Sequence, residues 1–90
     1  FKERVNRLLE RQGWKIKTQP RGSIVDIITT RSDGAKRGFV IKPHGHISRN
    51  DMDALHKYGE AEDIGIVHVH EGSGQEILFS RLYKHLRSAR

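Results

Sequence analysis

The apolar positions along the chain change period several times, and each change marks an element. Over residues 3–12, Val5, Leu8 and Leu9 fall on one stripe at helical spacing, while Glu3, Arg7, Glu10 and Arg11 point elsewhere. Gly13 closes this helix. Residues 14–19 (WKIKTQ) then alternate apolar and polar, the period of a half-buried strand with Lys15 and Lys17 outward. After a Pro20-Arg21-Gly22-Ser23 turn, residues 24–30 (IVDIITT) are dense in β-branched side chains and predict a second strand. Asp33-Gly34 is a hairpin signal, and residues 38–42 (GFVIK) form the returning strand. Residues 43–47 read as a loop.

Ser48 is placed to cap a helix, with Asp51 three residues on, and the helix is expected to run to about Ala61. Met52, Leu55 and Gly59 lie along its inner side, and a glycine there implies close approach of another element. Residues 64–70 (IGIVHVH) predict a strand, ended by Glu71-Gly72-Ser73-Gly74. Residues 75–78 predict a short edge strand. From Phe79 the spacing turns helical, with Phe79, Leu82, Tyr83 and Leu86 on one face. The expected order is α-β-β-β-α-β with a C-terminal β-α tail, in one domain spanning residues 1–90.

Composition narrows the function classes. No cysteine is present, which removes disulfides, thiolate metal sites and cysteine nucleophiles. No apolar run approaches the roughly 20 residues that span a bilayer, so a membrane partner is not expected. The chain starts at Phe1 rather than a methionine, as a segment of a longer protein would, and an intracellular location, cytoplasmic or nucleoid-associated, is expected. Seventeen Lys and Arg against eleven Asp and Glu give a net charge of +6, which favours phosphate polymers as partners through steering and counterion release.

The candidate chemistry centres on Asp26, a carboxylate within an apolar strand that needs a cation or several donors in return for lost hydration. Lys42 ends the next strand, so the two can converge on one point. Two readings stay open: a phosphodiester site with Asp26 as a metal ligand and Lys42 steadying developing charge, or an Asp26–Lys42 ion pair at the sheet rim.

The segments RLLERQGW, SIVDIIT, GFVIK and SRNDMDALHKYGEAEDIGIVHV, in that order, resemble the PD-(D/E)XK nuclease superfamily. Within it the chain is most similar to archaeal Holliday junction resolvases and Mrr-type restriction endonuclease domains. The resemblance implies a restriction-endonuclease-like α/β fold: an αβββαβ core with a four-stranded mixed sheet flanked by helices, DNA as partner, and frequent dimerisation. It implies Mg2+ or Mn2+ as cofactor where the domain is an active endonuclease, with Asp26 as metal-binding aspartate and Lys42 as catalytic lysine. Two positions depart from the family pattern. Val40 stands where an acidic residue or Gln is expected two positions before the lysine, and Lys2 stands where resolvases place a glutamate in the first helix, with Glu3 one residue away. The alternative is therefore a catalytically degenerate nuclease fold that binds nucleic acid or a protein.

Lys15, Lys17 and Arg21, then Lys36 and Arg37, then His44, His46 and Arg49 are the candidate nucleic-acid contacts; the tail adds Arg81, Lys84, Arg87 and Arg90. His44 and His46 flank Gly45 beside Lys42 and are either loop residues near a phosphate groove, a substitute ligand, or a proton shuttle. His68 and His70 share a strand face, a spacing zinc uses, although no third ligand has helpful spacing. His56 reads as partly buried at the margin of the second helix. The Phe79, Leu82, Tyr83 and Leu86 stripe is a candidate homodimer face.

Overall fold

The computed structural model describes residues 1–83. Helix α1 (Lys2–Arg11) leads into β1 (Lys15–Thr18), β2 (Ile27–Thr30) and β3 (Lys36–Ile41). Helix α2 (Arg49–Glu62), β4 (Gly65–Glu71) and β5 (Ile77–Tyr83) follow. The element order α-β-β-β-α-β agrees with expectation, but the sheet has five strands rather than four, ordered β1-β2-β3-β4-β5. Only β3 and β4 are parallel; every other neighbouring pair is antiparallel. Helix α2 makes the crossover between the parallel strands, as such a connection requires.

Strand alternation sends side chains to two faces, and a helix covers each. On one, Val5 and Leu9 of α1 pack with Trp14, Ile27, Phe39, Val67 and Val69. On the other, Leu55 of α2 packs with Val25, Ile64 and Ile66, joined by partly buried Tyr58, Leu82 and Tyr83. Leu9, Ile27, Leu55 and Ile66 are at most 2% exposed, so the core is a sheet filled from both sides. Burial, with Glu62 nearby, raises the Tyr58 pKa above its ordinary value.

Helix α2 starts as its sequence requires. The Ser48 hydroxyl accepts from the Asp51 amide at 3.1 Å, satisfying one of the first-turn donors. Ser48→Ala is expected to cost about 1 kcal/mol, read as a lower urea midpoint with an unchanged slope. At the other end the chain turns through Asp63 at φ 63°, and the Ile64 amide returns to the Gly59 carbonyl at 3.0 Å.

Four expectations are corrected. The strand expected over residues 24–30 starts only at Ile27, because Asp26 breaks the ladder. The helix expected from Phe79 is strand β5 as far as Tyr83, because six residue pairs along β4 hold it there with a bulge opposite Ile66/Val67. Its apolar stripe is consequently divided: Phe79 faces the α1 side, whereas Leu82 and Tyr83 pack on the α2 side. A single homodimer face is not formed by these three, and Leu86 lies outside the described residues, as do Lys84, Arg87 and Arg90. His56 is exposed rather than partly buried, with Nε2 2.6 Å from the Leu82 carbonyl oxygen and its ring beside Tyr83.

Candidate functional site

The register fixes which residues share an end of the sheet. Ile27 of β2, Ile41 of β3, Glu71 of β4 and Ile77 of β5 lie at one end; Thr30, Lys36, Gly65 and Tyr83 lie at the other. The first end is the carboxyl rim of the parallel pair, where open α/β sheets commonly place ligands.

Asp26 stands at this rim in an irregular conformation. Continuing the Ile27–Phe39 pairing would set Val25 opposite Ile41. Instead the Asp26 amide donates to the Phe39 carbonyl at 2.9 Å, and Asp26 Oδ2 accepts from the Ile41 amide at 2.6 Å. Val25 and Ile27, two residues apart, therefore pack on opposite faces, as at a bulge. The carboxylate replaces a strand carbonyl as the partner of β3's last amide. It is half-buried, one oxygen committed to the backbone.

Lys42 comes to the same rim, one residue after the amide that Asp26 holds. Its amide donates to the Val69 carbonyl at 3.0 Å, extending the β3–β4 pairing, and its Nζ donates to the His46 carbonyl at 2.9 Å. The 43–46 loop thus folds over the lysine stem, with Gly45 close to Lys42 Cε. Asp26 and Lys42 share the rim without forming an ion pair within 4 Å, so the pairing their spacing allows is not made.

The other candidates divide between the two ends. Arg21 lines a cleft of about 310 Å³ at the rim together with Lys2 and Asp26. His44, His46 and Arg49 are exposed on the loop and first helical turn after β3. Lys15 and Lys36 both pair with Thr30 at the opposite end, and with Lys17 and Tyr58 they line a separate cleft of about 410 Å³ on the α2 side. Arg37 is not brought to the rim. It lies on the α1 face, its guanidinium 5.2 Å from the Trp14 ring centroid.

A rim network escaped the sequence reading. Glu71 lies 3.8 Å from Arg4 and 3.5 Å from His44 Nε2, and Arg4 also donates to the Gln75 carbonyl. The members are far apart in the chain and carry no shared pattern. The His68 and His70 rings do lie side by side, 5.0 Å between centroids. Their Nε2 atoms are already occupied, His68 at 3.0 Å from the Lys42 carbonyl oxygen and His70 at 2.9 Å from Ser80 Oγ.

The divalent ion implied by the resemblance is tested against these groups. Magnesium relies on one or two carboxylates together with substrate phosphates. Asp26 brings one carboxylate with an oxygen already engaged, Val40 brings none, and Glu71 is turned to Arg4 and His44. Among the described residues no three His, Asp or Glu side chains gather to hold a metal. Of these groups only Asp26 has a carboxylate oxygen to offer such an ion, which would depend on substrate phosphate oxygens for much of its remaining coordination.

What fold and rim define is a mixed α/β domain with a five-stranded sheet between two helices and a cationic carboxyl rim. No protein-family model matches the chain, and no curated protein matches it significantly. Among the described residues no helix is long and apolar enough to cross a membrane.

Proposed function

We propose that this is a DNA-binding domain of nuclease-like architecture whose carboxyl rim receives the phosphate backbone without hydrolysing it. The observation supporting this reading is the gathering of exposed Lys2, Arg21, Lys42, His44, His46 and Arg49 from three separate segments at one end of the sheet. Long cationic side chains at a rim contact backbone phosphates and position a duplex without reading its sequence. Asp26 organises the rim by holding the end of β3, and Lys42 supplies charge.

The expected result is affinity for a fluorescently labelled duplex that falls steeply between 50 and 200 mM salt. About four phosphate contacts would give a slope of log affinity on log salt near −3.6. Lys42→Ala and Arg21→Ala should each reduce that slope by about one. Absence of binding at low salt overturns the reading.

A second reading, a divalent-metal-dependent endonuclease, is favoured by one observation: Asp26 and Lys42 stand at the same rim. Incubating plasmid and branched DNA with the protein and Mg2+ or Mn2+ separates the two. Cleavage lost in Asp26→Asn would establish the enzyme, and intact substrates would leave the binding domain.

A further inference from the structure

At the end of the sheet away from the rim, on the α1 face, arginines converge where no acidic group balances them fully. The chain's single tryptophan, Trp14, is 5% exposed, and its ring has the Arg31 guanidinium 4.4 Å and the Arg37 guanidinium 5.2 Å from its centroid. Arg81 joins them through the register. Arg37 pairs with Gly65 of β4, and Arg81 pairs with Val67 two residues along, so both arginines flank β4 on one face. Burial first, then the charges of Arg81 and Arg31, pull the Arg37 pKa below its ordinary value, with only Asp33 acting the other way. Asp33 itself is turned to Arg31, at 3.5 Å.

Arg37 and Arg81 line a groove of about 250 Å³ whose other wall is apolar, formed by Leu9, Phe39, Val67 and Phe79. Phe79 meets Phe39 edge-on at 6.3 Å and is 42% exposed, so part of its ring is open. At about 250 Å³ the open groove lies just below the roughly 300–1,000 Å³ of enclosed small-ligand pockets, room for a nucleotide that stays partly in solvent and far too little for a duplex. Paired guanidiniums recognise a phosphoryl group through charge-assisted hydrogen bonds. An open aromatic ring beside them accepts a stacked base.

We propose that this groove binds a single nucleotide, its phosphate between Arg37 and Arg81 and its base against Phe79. The nucleotide is either free or the terminal residue of a strand, since both present the same phosphate and base. The site lies on the α1 face, with Phe79 nearer the rim than Arg37, and none of the rim cations lines it, so its failure is distinguishable from that of duplex binding at the rim.

Trp14 provides the readout, because a phosphate drawing on Arg37 alters the cation over its ring. AMP titrated into the whole chain at low salt should change Trp14 fluorescence saturably, and inorganic phosphate should do so more weakly. Arg81→Gln, on an exposed edge-strand position, should weaken AMP about tenfold, the loss of one charge-assisted hydrogen bond. Phe79→Ser should abolish the preference for AMP over phosphate, while the rim variant Arg21→Ala should leave the response intact. Competition by a short single strand bearing a 5′-phosphate, and not by its unphosphorylated form, identifies a strand end as the source; no competition by either identifies the free nucleotide. An absence of saturable change at millimolar AMP, or equal affinity in Arg81→Gln, overturns the proposal.

Discussion

Asp26→Ala is expected to lower stability by about 1–3 kcal/mol, whereas Asp26→Asn should lose much less. The difference follows from the Ile41 amide. In the native chain that part-buried donor gives its hydrogen bond to Asp26 Oδ2 at 2.6 Å, because the irregular strand start brings the side chain rather than a carbonyl opposite it. Alanine leaves the amide without an acceptor, and an unsatisfied buried donor forfeits its full desolvation cost. Asparagine retains a carbonyl oxygen at nearly the same place, losing only the charge-assisted part of the bond. For a domain of this size 1 kcal/mol corresponds to about 4–8 °C in Tm, so thermal melting resolves the pair. In duplex binding, the asparagine variant should bind at least as tightly as the native chain, since a negative charge leaves a surface that meets phosphate. An alanine variant that melts like the native protein would show that the carboxylate does not hold the end of β3.

Gly59→Val is expected to be the more damaging change, by about 3 kcal/mol. A Cβ on Gly59 would stand 2.5 Å from Tyr83 Cδ2, 3.0 Å from the Ile64 carbonyl oxygen and 3.0 Å from Ile66 Cγ1. The tyrosine ring can swing, but the Ile64 carbonyl is backbone, fixed by the turn that closes α2 on β4. Overpacking of this kind costs typically 1–3 kcal/mol, and the branched valine adds two further methyl groups to the same space. Gly59→Ala sets two effects against each other: alanine gains about 1 kcal/mol in helix propensity, and its one methyl still meets the carbonyl. The contact should win, leaving alanine about 1 kcal/mol less stable than the native chain. Urea unfolding measures both, and an alanine variant more stable than the native protein would refute the close packing of α2 on β4 and β5.

Much of this architecture is legible in local pattern. The Ser48–Asp51 cap and the Val5–Leu9 stripe are read correctly because both depend on residues within one or two turns. Gly59 is read as a point of close approach, which it is. The 79–83 segment shows where local pattern stops: Phe79, Leu82 and Tyr83 satisfy helical spacing, yet pairing with β4 makes the segment a strand. A bulge there places Leu82 and Tyr83 on one side and Phe79 on the other, a division no window of sequence reports. Asp26 teaches a similar lesson. Its oddity in an apolar run is visible, but the group that answers it is a backbone amide fifteen residues away.

Sequence by itself determined the order of helices and strands as far as β4, the Ser48 cap and the excess of positive charge, because each is set by neighbours along the chain. Only the tertiary structure decided how that charge is distributed. Strand register sends Lys42, Arg21 and the 43–49 segment to one end and gathers Arg31, Arg37 and Arg81 around the α1 face at the other. Electrostatic partners are chosen by distance in space, and pairing between strands, rather than separation along the chain, sets that distance.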